Sequence, residues 1–135
     1  KDIPVESGIS AKALREELMA IMKESFPKIF FNYVNGKIKA KTQKDKGSYY
    51  KPMVPGDSKI NPAEDLKTNY NKIMALRDSN FPAYIILDKK YVLPYAEFVD
   101  KEEIKQDFFK LIIHENTLYI KHKSYDKILK CQIKL

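Results

Sequence analysis

The sequence predicts an α+β chain: an N-terminal helical segment and linker, one capped helix, then a small five-stranded β-barrel. Three observations predict it. Apolar residues recur at helical spacing over residues 14–22 and again over 66–74. Between them lies an aperiodic stretch, residues 43–59, that holds Gly47, Pro52, Pro55 and Gly56. From Ala83 onward, five short runs alternate and are separated by polar turn residues, with little helix between them, which suits a small closed or half-open barrel.

Ile3-Pro4-Val5 reads as the end of a strand entering a turn. Ser10 is placed to N-cap a helix over residues 11–25, on which Leu14, Leu18, Ile21 and Met22 form one apolar face. Pro27 either breaks that helix or opens a second one, with residues 28–34 as a short continuation. Asn35-Gly36 supplies a stop, since Gly tolerates the left-handed backbone. Lys37 to Lys41 alternates Lys with Ile38 and Ala40 and reads as a short amphipathic strand. Residues 43–59 have no hydrophobic period and read as a linker crossing a surface.

Asn61-Pro62-Ala63-Glu64 reads as a helix start, with Asn as cap, Pro at the first position and Glu reaching back to the cap backbone. Leu66, Tyr70, Ile73 and Met74 would be its buried face, and Asp78-Ser79-Asn80 its end. Strands are expected at 83–87, 91–99, 106–114, 117–123 and 128–135. Asn116 is expected to take the positive φ of a tight hairpin. Pro94 places the second strand at an edge or a bulge.

With 135 residues and 44% apolar content, one compact domain or two small subdomains can build a core. No apolar run approaches the roughly 18 residues that cross a bilayer. Cys131 stands alone, so a reducing, cytoplasmic home is expected. The chain begins with Lys rather than Met, and no signal peptide precedes the fold, so it reads as a processed product or a fragment. The net charge is +7, but of the 25 basic residues only Arg15 and Arg77 are Arg. Lysine is a well-hydrated point charge without the bidentate fork that reads phosphates, so the charge speaks for a solvated surface more than for base readout.

The order of features from Gln43 to Leu87 resembles the interdomain junction of the folate-dependent formyltransferases. That family runs Q…Y-x-P, then I-x-W or I-N, then N-x-I-R-A-L, then P-G-A at the first barrel strand. Here the counterparts are Gln43, Tyr50 and Pro52; Ile60-Asn61; Asn71-Lys72-Ile73-Met74-Ala75-Leu76; and Pro82-Ala83-Tyr84. Met74 stands where the family has Arg, and Ala83 where it has Gly. The resemblance implies that residues 1–42 end the Rossmann-like formyltransferase domain, 43–60 form the linker, and 61–135 form an OB-like C-terminal barrel.

It also implies the chemistry of the parent enzyme, formyl transfer from N10-formyltetrahydrofolate to a primary amine. The catalytic Asn, His and Asp, and the folate carrier, belong to the upstream domain; no H-P-S segment occurs here, so the chain alone is expected to be inactive, with no catalytic residue or cofactor of its own. Two branches exist, one acting on methionyl initiator tRNA and one on nucleotide-linked amino sugars. Ile60-Asn61 and Phe81-Pro82, where the tRNA branch tends to carry Trp, favour the sugar branch. No membrane partner is expected, and the chain is expected to form part of a homodimer interface.

The candidate substrate-binding residues are Tyr49, Tyr50, Lys51 and Asn71. A linker beside the cleft would stack a Tyr on the nucleobase and bring Lys51 to the diphosphate. The competing reading has the tyrosines pin the linker to the barrel, and Asn71 hold linker backbone rather than substrate. His114 and His122 lack metal-ligand spacing and read as ordinary strand histidines. Cys131 alternates with Leu129 and Ile133 and reads as a small buried residue. Lys121, Lys123, Lys127, Lys130 and Lys134 form either an RNA-binding face or a solvated edge. A freestanding module that binds single-stranded nucleic acid or a protein remains an alternative, with Tyr95, Phe98, Phe108 and Phe109 as platform or core.

Overall fold

Ser10 is buried and its Oγ accepts from the Ala13 N–H at 3.1 Å, so helix α1, Ala11–Val34, starts at the expected cap. The computed structural model describes residues 3–6, 8–42, 47, 49–101, 111–122 and 125–134. Gln43, Phe108, Phe109, Lys123 and the 106–110 part of the third expected strand lie outside them. The helix does not break at Pro27, which corrects the expectation of two pieces. Proline lacks the N–H that would reach the Lys23 carbonyl. Two contacts straddle that gap, the Glu24–Lys28 ion pair at 3.7 Å and the stacked rings of Phe26 and Phe30 at 5.9 Å.

At the far end the Asn35-Gly36 stop holds. The Gly36 N–H donates to the Tyr33 carbonyl (3.0 Å) and the Lys37 N–H to that of Asn32 (2.9 Å), with Gly36 at φ 69°. Lys37 and Ile38 both donate to the Asn32 carbonyl, so their N–H groups close the helix, and Lys37–Lys41 is not a strand. Ile3–Val5 is not one either; the Ile9 N–H donates to the Glu6 carbonyl in a turn that leads into the cap.

Helix α2 spans Leu66–Leu76, and its cap is Asp65 rather than Asn61. Asn61 instead makes a turn of its own, accepting from the Ala63 and Glu64 N–H groups. Asp65 wins because it is anchored twice: it accepts from the Thr68 N–H at 2.9 Å and from the Tyr125 hydroxyl. These bonds, Tyr125 first, hold the Asp65 carboxyl below its ordinary 3.8. Tyr91 does the same to Asp88 across 2.9 Å.

A lowered carboxyl contributes stability above its unfolded pKa that is lost as pH falls through the folded value. Thermal stability should therefore weaken below the ordinary carboxylate range. Asp65→Asn should be less stable at pH 7 and lose less on acidification; parallel acid limbs for both proteins would exclude this linkage.

Five strands follow: β1 Tyr84–Ile86, β2 Lys90–Asp100, β3 Leu111–His114, β4 Thr117–Lys121 and β5 Lys127–Lys134. They form one antiparallel sheet in the order β1-β2-β5-β4-β3, curled into a half-barrel, so the chain is α+β with a barrel-like β part. β2 is interior to the sheet, and its register slips between Val92 and Tyr95, which makes Pro94 a bulge residue. In the β3–β4 hairpin Glu115, not Asn116, takes the positive φ (53°), because His114 pairs with Thr117 and the first loop position carries the turn. The Leu66 and Ile73 side chains of α2 join Leu93, Leu118, Ile120 and Leu129 in one buried core.

Candidate functional site

The linker divides into an anchored end and an open end. Ser58 Oγ donates to the Phe81 carbonyl (2.8 Å), the Ile60 N–H to the Tyr84 carbonyl (2.7 Å), and Lys59 bridges β1 in parallel. Residues 58–60 thus cover the outer edge of β1, a protection that edge strands need. From α2, Lys72 Nζ donates to the Lys59 carbonyl (3.2 Å), and Asn69 Nδ2 donates to the Asn61 carbonyl (2.9 Å). Asn69 and Lys72 thus both hold backbone here, and no sequence motif marks either of them for that role. Their signal was weak: Asn69 lies one turn before Ile73 on the buried face, where a polar residue needs partners.

Upstream of that anchor, a 3-10 turn at Pro55–Ser58 is fixed by Asp57, whose Oδ2 accepts from the Val54 N–H at 3.0 Å. The same carboxylate lies 3.9 Å from Lys51 Nζ. This exposed pair is weak and exchangeable, so Lys51 is held near the turn without being neutralised for good. Tyr49 and Tyr50 are 89% and 84% exposed. They do not pin the linker to the barrel, which sets aside the competing reading for them. Asn71 is exposed on α2. The sequence-predicted residues thus stand on two elements, three on the linker and one on the helix.

Two lysines of the lysine face, Lys127 and Lys130, stand in cross-strand ion pairs. Lys130 lies 2.9 Å from Glu97 and Lys127 3.8 Å from Asp100, and in each case the two residues are register partners across β5 and β2. Lys101 reaches Asp126 at 3.6 Å. Phe98 packs on Tyr70, ring centres 5.0 Å apart, and is core rather than platform, while Tyr95 is 37% exposed. His122 meets Tyr125 edge-on at 6.0 Å, and His114 is exposed at the end of β3. Cys131 is fully buried, and burial pushes its thiol up to about 12, so it is a packing residue and a poor nucleophile. Among the described residues no three His, Cys, Asp or Glu side chains gather as a metal set. None of their helices is long and apolar enough to cross a membrane.

An open groove of about 830 Å³ runs between α1 and the end of α2, lined by Lys12, Arg15, Met19, Lys23 and Ser79 among others. It lacks the enclosure of a small-molecule site. A scan against models of known protein families finds no match to this chain, and a search of curated proteins finds none either.

Proposed function

We propose that this chain is the C-terminal part of an N-formyltransferase that transfers the formyl group of N10-formyltetrahydrofolate to the amine of a nucleotide-linked amino sugar. The observation that carries the reading is the adjacent pair Tyr49 and Tyr50, almost fully exposed on a linker that is tied down from Val54 to Ile60. Two exposed aromatic rings on a braced segment suit stacking against a base, and Lys51 beside them suits a diphosphate. The order of linker, helix and barrel-like sheet agrees with the family resemblance. The tRNA branch draws less support, since Lys127 and Lys130 are already paired with acids.

In this reading the folate carrier and the proton-handling residues belong to an upstream catalytic unit, and no step of the chemistry falls to this chain. Its residues bind and orient the acceptor, which is a homodimer-compatible role for a cytoplasmic enzyme. The test is to express the protein together with whatever precedes Lys1 and assay formyl transfer to nucleotide-linked amino sugars. Base stacking is worth about 1–3 kcal/mol, so Tyr49→Ala with Tyr50→Ala should raise KM roughly 5- to 100-fold. kcat and Tm should hold, because neither ring packs on the core. No transfer at all, or an unchanged KM, would overturn the respective part of the reading.

A further inference from the structure

A 24-residue helix in which no residue is buried is anomalous when its sequence is largely apolar. Leu14 and Ile21 are half-buried, but another side of α1 stands in the open. Met19, Met22, Phe26, Ile29 and Tyr33 recur at alternating steps of three and four residues, and each is 45–60% exposed. That spacing is the seam by which one helix pairs lengthwise with another. Leu18 and Phe30, exposed to the same degree, widen it. Isolated exposed apolar residues need no explanation, but a contiguous seam does.

The seam reads alike from both ends. Phe26 is its midpoint, with Met19 seven residues before it and Tyr33 seven after. A second copy laid antiparallel about a two-fold axis at Phe26 puts ring on ring at the axis. It also brings Tyr33 of each copy to Met19 of the other, and Met22 to Ile29. Such a match, in which one patch serves both partners, is what a two-fold dimer requires. Met19 also lines the open groove between α1 and the end of α2, so the second copy's Tyr33 meets a groove with room for it. Fully covered, the seam and its flanks would give on the order of 800 Å² per copy, the share one partner brings to a standard interface.

The charges choose the antiparallel sense. Glu16, Glu17 and Glu24 all precede Phe26, while from Ser25 to Thr42 the only charged residues are Lys28, Lys37, Lys39 and Lys41. A parallel pair would set the two lysine ends side by side, whereas an antiparallel pair sets each against the glutamate half of the other. The levels agree as well. Glu16 lies about 15 Å along the helix before Phe26. Lys37, whose N–H folds back to the Asn32 carbonyl at 2.9 Å, closes the helix at a similar distance on the other side. We infer that the α1 seam is the interface of an antiparallel two-fold dimer of this chain, with the two Phe26 rings on the axis. The dimer needs nothing from the functional reading above and forms with or without a formyl acceptor.

Sedimentation equilibrium of the chain across the micromolar range should show a monomer–dimer equilibrium. Phe26→Asp places two like charges on the axis and should weaken the dimer on the order of 100-fold. Its circular dichroism should match the parent, since Phe26 is 60% exposed. Cross-linking reads the orientation. Met19→Cys and Tyr33→Cys chains, mixed and oxidised, should join in a mixed disulfide. Neither should cross-link with itself, because about 21 Å of helix separates the two copies of either position. Cys131 is fully buried and does not compete.

A chain that stays monomeric throughout that range overturns the inference. So does a dimer indifferent to Phe26→Asp, and so does a disulfide of Met19→Cys with itself, which would mark a parallel pair. Phe26-dependent uptake by phosphatidylserine-containing vesicles, with no dimer in solution, would give the seam to a lipid surface and overturn it too.

Discussion

Leu129→Ala should be among the most damaging single truncations in the barrel-like sheet, costing about 2–5 kcal/mol. Leu129 is fully buried on β5, the strand that pairs with β2 on one side and β4 on the other. Its register partners are Phe98 and Ile120, so its side chain serves both neighbours at once. Deleting its methyl groups forfeits transfer energy and leaves a cavity that a hydrogen-bonded interior strand cannot collapse to fill. Small domains hold only about 5–15 kcal/mol in total, so a loss of this size is a large share.

Guanidinium unfolding should show a midpoint shifted well down with an unchanged slope, while Gln132→Ala, exposed on the same strand, should move it little. A loss below about 1 kcal/mol would mean that Leu129 is not central to the core.

Much of that core was legible from strand alternation, although the β2 bulge puts Ala96 and Val99 out of step and Ile128 is buried beside Leu129. Ile85, Leu93, Leu118, Ile120, Leu129 and Cys131 all fall at alternating positions and are all buried. Asp88-Lys89 and Glu115-Asn116 are turn residues where the turns occur. What escaped the sequence depends on partners far along the chain. Asp65 caps α2 with the support of a tyrosine 60 residues away, whereas Pro62 and Glu64 had drawn the sequence reading to Asn61. The segment Lys37–Lys41 had the right alternation for a strand, but the Lys37 and Ile38 N–H groups went to the end of α1 instead.

The candidate site was half legible for the same reason. Tyr49 and Tyr50 could be placed on a linker from composition, but whether they pack or project is a tertiary fact. Lys127 and Lys130 read as a basic face because Glu97 and Asp100 lie some thirty residues earlier, and only the β2–β5 register puts them opposite. The expected apolar face of α1 is split as well: Leu14 and Ile21 are half-buried, while Leu18 and Met22 are 47% and 55% exposed. Each lies within one turn of the next, so spacing alone reads them as a single face until burial separates them.

Asn69→Asp should be as damaging as the loss of Leu129, and for an opposite reason. Asn69 is fully buried, and its Nδ2 donates to the Asn61 carbonyl at 2.9 Å and lies 3.4 Å from that of Glu64. Its Oδ1 is buried with no partner among the described residues. An ionised Asp would replace the donor with a second acceptor facing two carbonyl oxygens, and an unpaired buried charge costs about 3–5 kcal/mol. The new carboxyl would escape by protonating, which raises its folded pKa above the unfolded value near 3.9.

A raised group is least harmful below its unfolded pKa, and the penalty grows as pH rises through the folded value. The gap between Asn69→Asp and the parent should thus be widest at neutral pH and narrow on acidification. The lowered Asp65 and Asp88 carboxyls make both proteins less stable over that same acid range, so the difference between the two curves carries the signal. A gap that stays constant from pH 7 to pH 3 would show that residue 69 stays solvated. The tie between α2 and the linker would then have to rest on Lys72 and the Ser58–Ile60 bridge.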